Sequence, residues 1–311
     1  MNFKKPRFWD LPKPNIISYL LTPFSIPFII KNFFFSIIKR KKSTSIKTIC
    51  VGNIYIGGTG KTPLTIKIYE ILKKLGKNIA TVKKDYSDQL DEQKILRKKT
   101  SLIISKSRTK AIQQGIDKGY SILIFDDGLQ EMKIDYDLKL VCFKSKNWIG
   151  NGLYIPAGPL REKISSLKKF DVVFLNGKSN NFERIRNQIQ TINSNIKIFN
   201  TFYKISNLKK YDLDSKYLIF SGIGNPSDFR EILQENNFDV AQEMVFPDHY
   251  KYSEKDFKKI VDIAKEKNFK IITTEKDYMK ISNQFKTEIE FLEIDLVIQN
   301  ESELLNLLEK L

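Results

Sequence analysis

A single histidine and two cysteines are all that 311 residues offer to a soft or borderline metal. His249 lies far along the chain from both Cys50 and Cys142, so the clustered spacing of a zinc site is missing. The cysteines sit inside the apolar runs IKTICVG and LKLVCFK, which reads as burial in a core of a reducing compartment and suggests no disulfide framework. Acidic residues are also short. Asp and Glu number 36 against 53 Lys and Arg, a formal charge of +17, which fits either an anionic partner or a lysine-biased composition. The lysines are dispersed, and neither a helix-turn-helix word nor an aromatic platform for single strands accompanies them, so nucleic acid is not expected as a partner. No internal repeat and no low-complexity linker interrupts the chain. Its 41% hydrophobic and 29% charged content is that of a soluble globular protein, and its length suits two domains better than one.

The amino terminus departs from this pattern. Residues 15–38 read NIISYLLTPFSIPFIIKNFFFSII, followed by the basic run Lys39-Arg40-Lys41-Lys42. No small-residue cleavage site follows, which argues against a secretory signal. A spanning helix needs about 20 apolar residues, and Pro23, Pro27, Lys31 and Asn32 interrupt this run. The pattern favours a bent element in the membrane interface with its lysines toward acidic headgroups. A true span and a helix buried against the protein's own core are the alternatives.

From residue 46 onward, short apolar runs alternate with helix-period segments, the grammar of parallel sheets covered by helices. IKTICVGN, NIATVKK, SLIISK, SILIFDDG, LKLVCFK and KFDVVFLNG read as strands; TPLTIKIYEILKKLG, ended by Gly76, and TKAIQQGIDKG read as helices. IKIFNTFYKISNLKK, near residues 196–210, reads as an extended connector. The grammar then restarts with KYLIFSGIGNP, SDFREILQENN, SEKDFKKIVDIAKEKN, FKIITTEKD and ESELLNLLEKL. The expected organisation is an α/β fold with an N-terminal membrane-interface segment (1–42), a P-loop NTPase-like domain (43–200) and a smaller C-terminal α/β domain (201–311).

The strand IKTICVGN runs into IYIGGTGKTP, which lacks one residue of the usual phosphate-binding pattern. Tyr55 stands where the first glycine belongs. That glycine helps the chain leave the strand, whereas the anion is held by backbone N–H groups of the last few residues and by the helix N-terminus behind them. Gly57-Gly58-Thr59-Gly60 supplies the tight part, Lys61 can reach the β- and γ-phosphates, and Thr62 can ligate Mg2+. Pro63 suits an early helical position. SILIFDDG supplies Asp126 and Asp127 at the end of a buried strand, where a bound metal would relieve the repulsion between them. A glycine-rich turn and an Asp-Gly turn are the bland alternatives.

Five words in order, GGTGKTP, DDGLQ (126–130), NGLYIPAGPLRE (151–162), FPDHY (246–250) and TTEKD (273–277), make the chain resemble the tetraacyldisaccharide 4′-kinase family, the lipid A 4′-kinases of Gram-negative bacteria. The resemblance runs from Phe8 and Trp9 to about residue 280. That family's loop also lacks the first glycine and keeps the Gly52-Asn53 pair. The resemblance implies ATP- and Mg2+-dependent phosphorylation of the 4′-hydroxyl of an acylated glucosamine disaccharide 1-phosphate, giving lipid IVA at the cytoplasmic face of the inner membrane, with no obligate protein partner. It implies a catalytic set of Asp91, His249, Lys61 and Asp127. The nucleotide set is Gly57, Gly58, Thr59, Gly60, Lys61, Thr62 and Arg161, and the Mg2+ set Thr62, Asp126, Asp127 and Glu162. Asp91 aligns with the aspartate of a GDEP word, here LDEQ without its glycine and proline. The preceding SRGYG word has become Lys83-Lys84-Asp85-Tyr86-Ser87, so Asp85, Asp88 and Glu92 are further candidates for the base, each otherwise a solvated loop charge. Asp248 is expected to position His249, and TTEKD to help form a nucleotide or interdomain surface. A membrane-associated ATPase switch without a small-molecule acceptor is the rival function, and Ile56, where such switches carry lysine, counts against it.

Overall fold

A computed structural model describes residues 5–38, 40–86, 90–131 and 133–311. The chain opens with α1 (Ile16–Leu21) and α2 (Ile26–Ile37). Next come β1 (Lys47–Gly52), α3 (Lys61–Lys74), β2 (Ile79–Lys84), α4 (Leu90–Lys99), β3 (Leu102–Ser105), α5 (Arg108–Asp117), β4 (Ile122–Asp126) and β5 (Leu138–Lys144). They are followed by β6 (Val172–Asn176), α6 (Phe182–Ile192), β7 (Lys197–Ile205), β8 (Lys216–Ser221), α7 (Pro226–Glu235), β9 (Asp239–Val245) and α8 (Glu254–Glu266). The last elements are β10 (Lys270–Thr274), α9 (Glu275–Tyr278), β11 (Ile289–Leu292), β12 (Ile294–Ile298) and α10 (Glu301–Glu309).

Two compact units result. The larger holds residues 5–85, 99–202 and 296–311; the smaller holds 86–98 and 203–295 among the described residues. This corrects the expected single cut after residue 200. Residues 296–311 return to the larger unit, where Glu301 pairs with Lys67 at 2.9 Å and Glu303 with Lys197 at 2.8 Å. Glu92, for which a solvated loop charge is the alternative reading, lies with Asp91 on α4, whose residues 90–98 belong to the smaller unit. Residues 196–210 are no mere connector, because Lys197–Ile205 is a strand of the main sheet.

The larger unit is built on an eight-stranded sheet in the order β12-β7-β6-β5-β1-β4-β2-β3. From β7 to β3 every pairing is parallel. Parallel strands are covered on both faces, which is why β4 (ILIFD) and β6 (VVFLN) are buried along their whole length and read as apolar runs. β1 lies between β4 and β5. The chain leaves β1 toward one side of the sheet and resumes with β5 on the other, and in such sheets ligands bind beyond the carboxyl ends of the strands at this switch. α3 buries Leu64, Ile68, Ile71 and Leu72 against the sheet, each worth about 1.5–3 kcal/mol when fully covered. It stops at Gly76, whose φ of 73° lets the Lys77 N–H reach the Leu72 carbonyl at 3.1 Å.

The smaller unit carries a four-stranded parallel sheet, β11-β10-β8-β9. Alternate residues of β8 face opposite layers, as the two-residue period requires. Leu218 and Phe220 pack with Phe257 and Ile260 of α8, while Tyr217 and Ile219 pack with Phe229 and Leu233 of α7. α8 begins with a capping box between Ser253 and Asp256.

The amino-terminal helices rest on the larger unit by their polar face. The Ser25 hydroxyl donates to the Tyr154 carbonyl at 3.0 Å, and the Asn32 amide to the Arg161 carbonyl at 2.6 Å. Asn151 donates to the Ser18 hydroxyl at 3.0 Å. The apolar side chains point away: Ile16 is 79% exposed, Leu20 70%, Phe24 66% and Phe33 63%. Residues Ile16–Phe34 are long and apolar enough to cross a membrane and only 11% buried, so a helix packed into the protein's own core does not describe them. Lys39 of the adjoining basic run lies outside the described residues.

Candidate active site

Tyr55 explains the missing glycine. Its φ is not positive, so this position has no need of glycine's freedom. Instead the chain leaves β1 by pairing with the segment 159–161: Ile56 N–H donates to the Pro159 carbonyl at 2.8 Å and Arg161 N–H to the Ile54 carbonyl at 2.7 Å. The Tyr55 ring is buried and its hydroxyl donates to Asp10, which also pairs with Lys5 at 2.7 Å. Left-handed backbone is needed further on, at Gly57 and Gly60, with φ of 120° and 90°. Gly60 is the N-cap of α3, so Lys61 and Thr62 open the helix with unpaired N–H groups beside them. The buried Asn53 amide donates to the Thr59 hydroxyl at 3.0 Å and fixes the loop from behind.

Strand register brings the acids to this loop. Asp126 lies opposite Val51 on β1 and opposite Lys83 on β2. Its Oδ2 accepts from the Thr62 hydroxyl at 3.1 Å and from the Lys83 ammonium at 2.8 Å, both ends of that ion pair being buried. Asp127 follows with φ of 60°, turning its carboxylate toward Lys61 at 3.8 Å and Arg161 at 3.2 Å. Burial pushes its carboxyl up, but Lys61, then Arg161, Lys83 and Arg108, outweigh that and hold it well below the usual carboxylate range. Gln130 completes the network, receiving Arg161 at 3.3 Å and donating to Glu162 at 3.2 Å and to the Asn53 carbonyl at 3.0 Å. The repulsion expected between Asp126 and Asp127 is thus relieved by lysine and arginine.

Thr62, Asp126, Asp127 and Glu162 are hard oxygen donors, the chemistry Mg2+ prefers. Among the described residues no three His, Cys, Asp or Glu side chains gather as a metal cage. A magnesium ion bound with phosphates needs only one or two carboxylates, so the donor set fits it. Cys50 and Cys142 are free, buried and remote from such duty; burial pushes the Cys142 thiol up to about 12.

A second cluster stands within the smaller unit. α4 presents Asp91, the turn after β9 presents His249, α9 presents Lys276, and Lys280 follows two residues beyond its end. His249 has φ of 57° and its N–H donates to the Gly222 carbonyl at 3.2 Å. Its Nδ1 lies 3.3 Å from Asp91 Oδ2. Lys280 approaches that same oxygen at 3.4 Å and Lys276 at 3.7 Å. Burial pushes the Asp91 carboxyl up, but His249, Lys276 and Lys280 more than compensate and hold it well below the ordinary range. For Lys276, burial pulls the ammonium down while Glu92, Asp248 and Asp91 raise it by more. Asp277 anchors the platform: it is fully buried and accepts from Gly222 N–H, the Thr274 hydroxyl and Lys280, each within 2.9 Å.

The candidates therefore sort by unit. Asp91, Glu92, Asp248 and His249 meet in the smaller unit, and TTEKD contributes Lys276 to them. Asp85 is exposed at the end of β2 in the larger unit, and Asp88 lies outside the described residues. Lys83, Gln130, Lys276 and Lys280 were not singled out from sequence. For Gln130 and Lys276 the signal was at hand, since each lies inside one of the five words; a lysine in the last two positions of a strand, as Lys83 is in β2, ordinarily reads as solvated.

Both Asp91 and Asp127 are held ionised by the fold, which sets a pH dependence. A carboxyl whose folded pKa is depressed stabilises the fold above its unfolded value of about 3.9 and loses that contribution as pH falls toward the folded value. Stability should drop below about pH 4. Asp127→Asn should flatten that acid limb, as checked by urea unfolding across pH.

Residues 17–311 match the family model described as tetraacyldisaccharide-1-P 4′-kinase. A Pelagibacter ubique protein named tetraacyldisaccharide 4′-kinase is 49% identical over 100% of this chain and 99% of its own. One of the same name from Rickettsia conorii is 34% identical over 97% and 96% of the two chains. Among solved structures, LpxK from Aquifex aeolicus, described as an apo form in complex with ATP, shares the fold with a TM-score of 0.70. It is 23% identical over 95% of this chain and 99% of that one.

Proposed function

The chain belongs to the tetraacyldisaccharide-1-P 4′-kinase family, and from that membership we infer that it transfers the γ-phosphoryl group of ATP to the 4′-hydroxyl of tetraacyldisaccharide 1-phosphate, forming lipid IVA. The observation that carries the reading is the phosphate loop, with Thr62 held on Asp126 and Lys61 facing Asp127. Amides of Gly57 to Gly60 cradle the phosphates, Lys61 balances their charge and Arg161 offers a planar fork to an oxygen. Thr62, Asp126, Asp127 and Glu162 would hold Mg2+, which when bound would neutralise charge on the transferred group. Asp91 accepts the proton of the acceptor hydroxyl, oriented by His249. Phosphoryl transfer asks little covalent help of a protein, so positioning and charge dominate. An ADP-release assay tests this: turnover should require the disaccharide acceptor, and equal hydrolysis without it would favour the nucleotide-switch alternative.

The site of action we propose is the cytoplasmic face of the inner membrane, with Ile16–Phe34 embedded in the interface. The outward apolar face of this segment and the basic run after it support that reading. Replacing Phe24 and Phe33 together by Asp should abolish cosedimentation with anionic vesicles while leaving ATP affinity unchanged.

A further inference from the structure

His249 Nδ1 is buried and lies 3.3 Å from Asp91 Oδ2, and among the described residues neither atom is engaged in a well-aligned hydrogen bond. The other ring nitrogen, Nε2, faces the Lys276 ammonium at 3.4 Å. An ammonium has three donors and no acceptor, so Nε2 must accept and the ring proton falls to Nδ1. Beyond Lys276, Glu92 Oε1 and Asp248 Oδ1 each lie 3.9 Å from Nε2. Both would draw a proton onto that nitrogen. Lys276 stands among them, 3.6 Å from Glu92 and 3.2 Å from Asp248. Lys280, the remaining cation near the ring's partner, is divided between Asp91 and Asp277.

We propose that Lys276 is a positioning residue for the proton acceptor: its ammonium holds His249 as a neutral imidazole with the proton on Nδ1, the nitrogen on the side of Asp91. The proposal rests on the reading of Asp91 as acceptor. An imidazolium there would add one more positive charge beside Asp91 and make the carboxylate a poorer base; the neutral Nδ1–H tautomer orients it without that cost.

Because His249 is the only histidine, the full-length protein labelled with 15N-histidine gives one imidazole in a long-range 1H–15N spectrum. Near neutral pH the expected pattern is a protonated Nδ1 and a pyridine-type Nε2. In Lys276→Met, Nε2 faces Glu92 and Asp248 with no intervening cation, and both nitrogens should be protonated. Lys276→Arg keeps a donor there and should keep the neutral pattern. The same Lys276→Met protein should lose kcat on the order of tenfold with KM for ATP unchanged. A wild-type ring carrying its proton on Nε2, or an unaltered ring in Lys276→Met, overturns the proposal, and the first needs no variant to fold. Full activity in Asp91→Asn with the expected tautomer would reject the acceptor reading alone, leaving the assignment of Lys276 to the ring intact.

Discussion

Asp91→Asn is expected to lower kcat by on the order of 10²–10⁴-fold, the usual contribution of a positioned base, with ATP affinity essentially unchanged. The substitution keeps the size and one acceptor oxygen, so Glu92 N–H, which donates to Asp91 Oδ1 at 2.9 Å, still has a partner. What is lost is the proposed proton acceptor and the negative charge facing Lys276 and Lys280. The groups proposed to bind ATP belong to the larger unit, and Asp91 belongs to the smaller. Calorimetry with nucleotide and steady-state kinetics with the acceptor separate the two effects. Near-normal turnover would remove Asp91 from the chemistry and bring Glu92, 3.9 Å from His249, forward in its place.

Lys83→Met is expected to destabilise the protein by about 3–5 kcal/mol, because it leaves a buried carboxylate with no neutralising charge of its own. Asp126 would keep the Thr62 hydroxyl and a distant Thr65 at 3.5 Å, neither of which carries charge. The double change Lys83→Met with Asp126→Asn should recover part of the loss, since a neutral pair imposes a smaller desolvation cost. Urea midpoints report both. A single-variant loss below about 1 kcal/mol would mean that water reaches Asp126.

Local chemistry was legible in the sequence; long-range partnership was not. SILIFDDG announced a buried strand ending in two acids, and GGTGKTP a turn opening a helix, because each depends on neighbours in the chain. The return of 296–311 to the main sheet leaves no such mark: ESELLNLLEKL is an ordinary amphipathic helix whichever sheet it covers. LDEQKILRK was equally ambiguous. It carries five charges in nine residues, yet Asp91, Gln93, Ile95 and Leu96 of α4 are all buried. The Lys83–Asp126 pair depends on the register between β2 and β4, which nothing in either strand specifies alone. Asp91 and His249, separated by some 158 positions, were joined in advance only by resemblance to the kinase family; the folded chain puts them side by side within one unit.

The most direct measurement is the mass and phosphate position of the product formed from ATP, Mg2+ and tetraacyldisaccharide 1-phosphate. A gain of one phosphoryl group, located at the 4′-oxygen, is the predicted result. Unchanged disaccharide beside stoichiometric ADP and free phosphate would contradict the account.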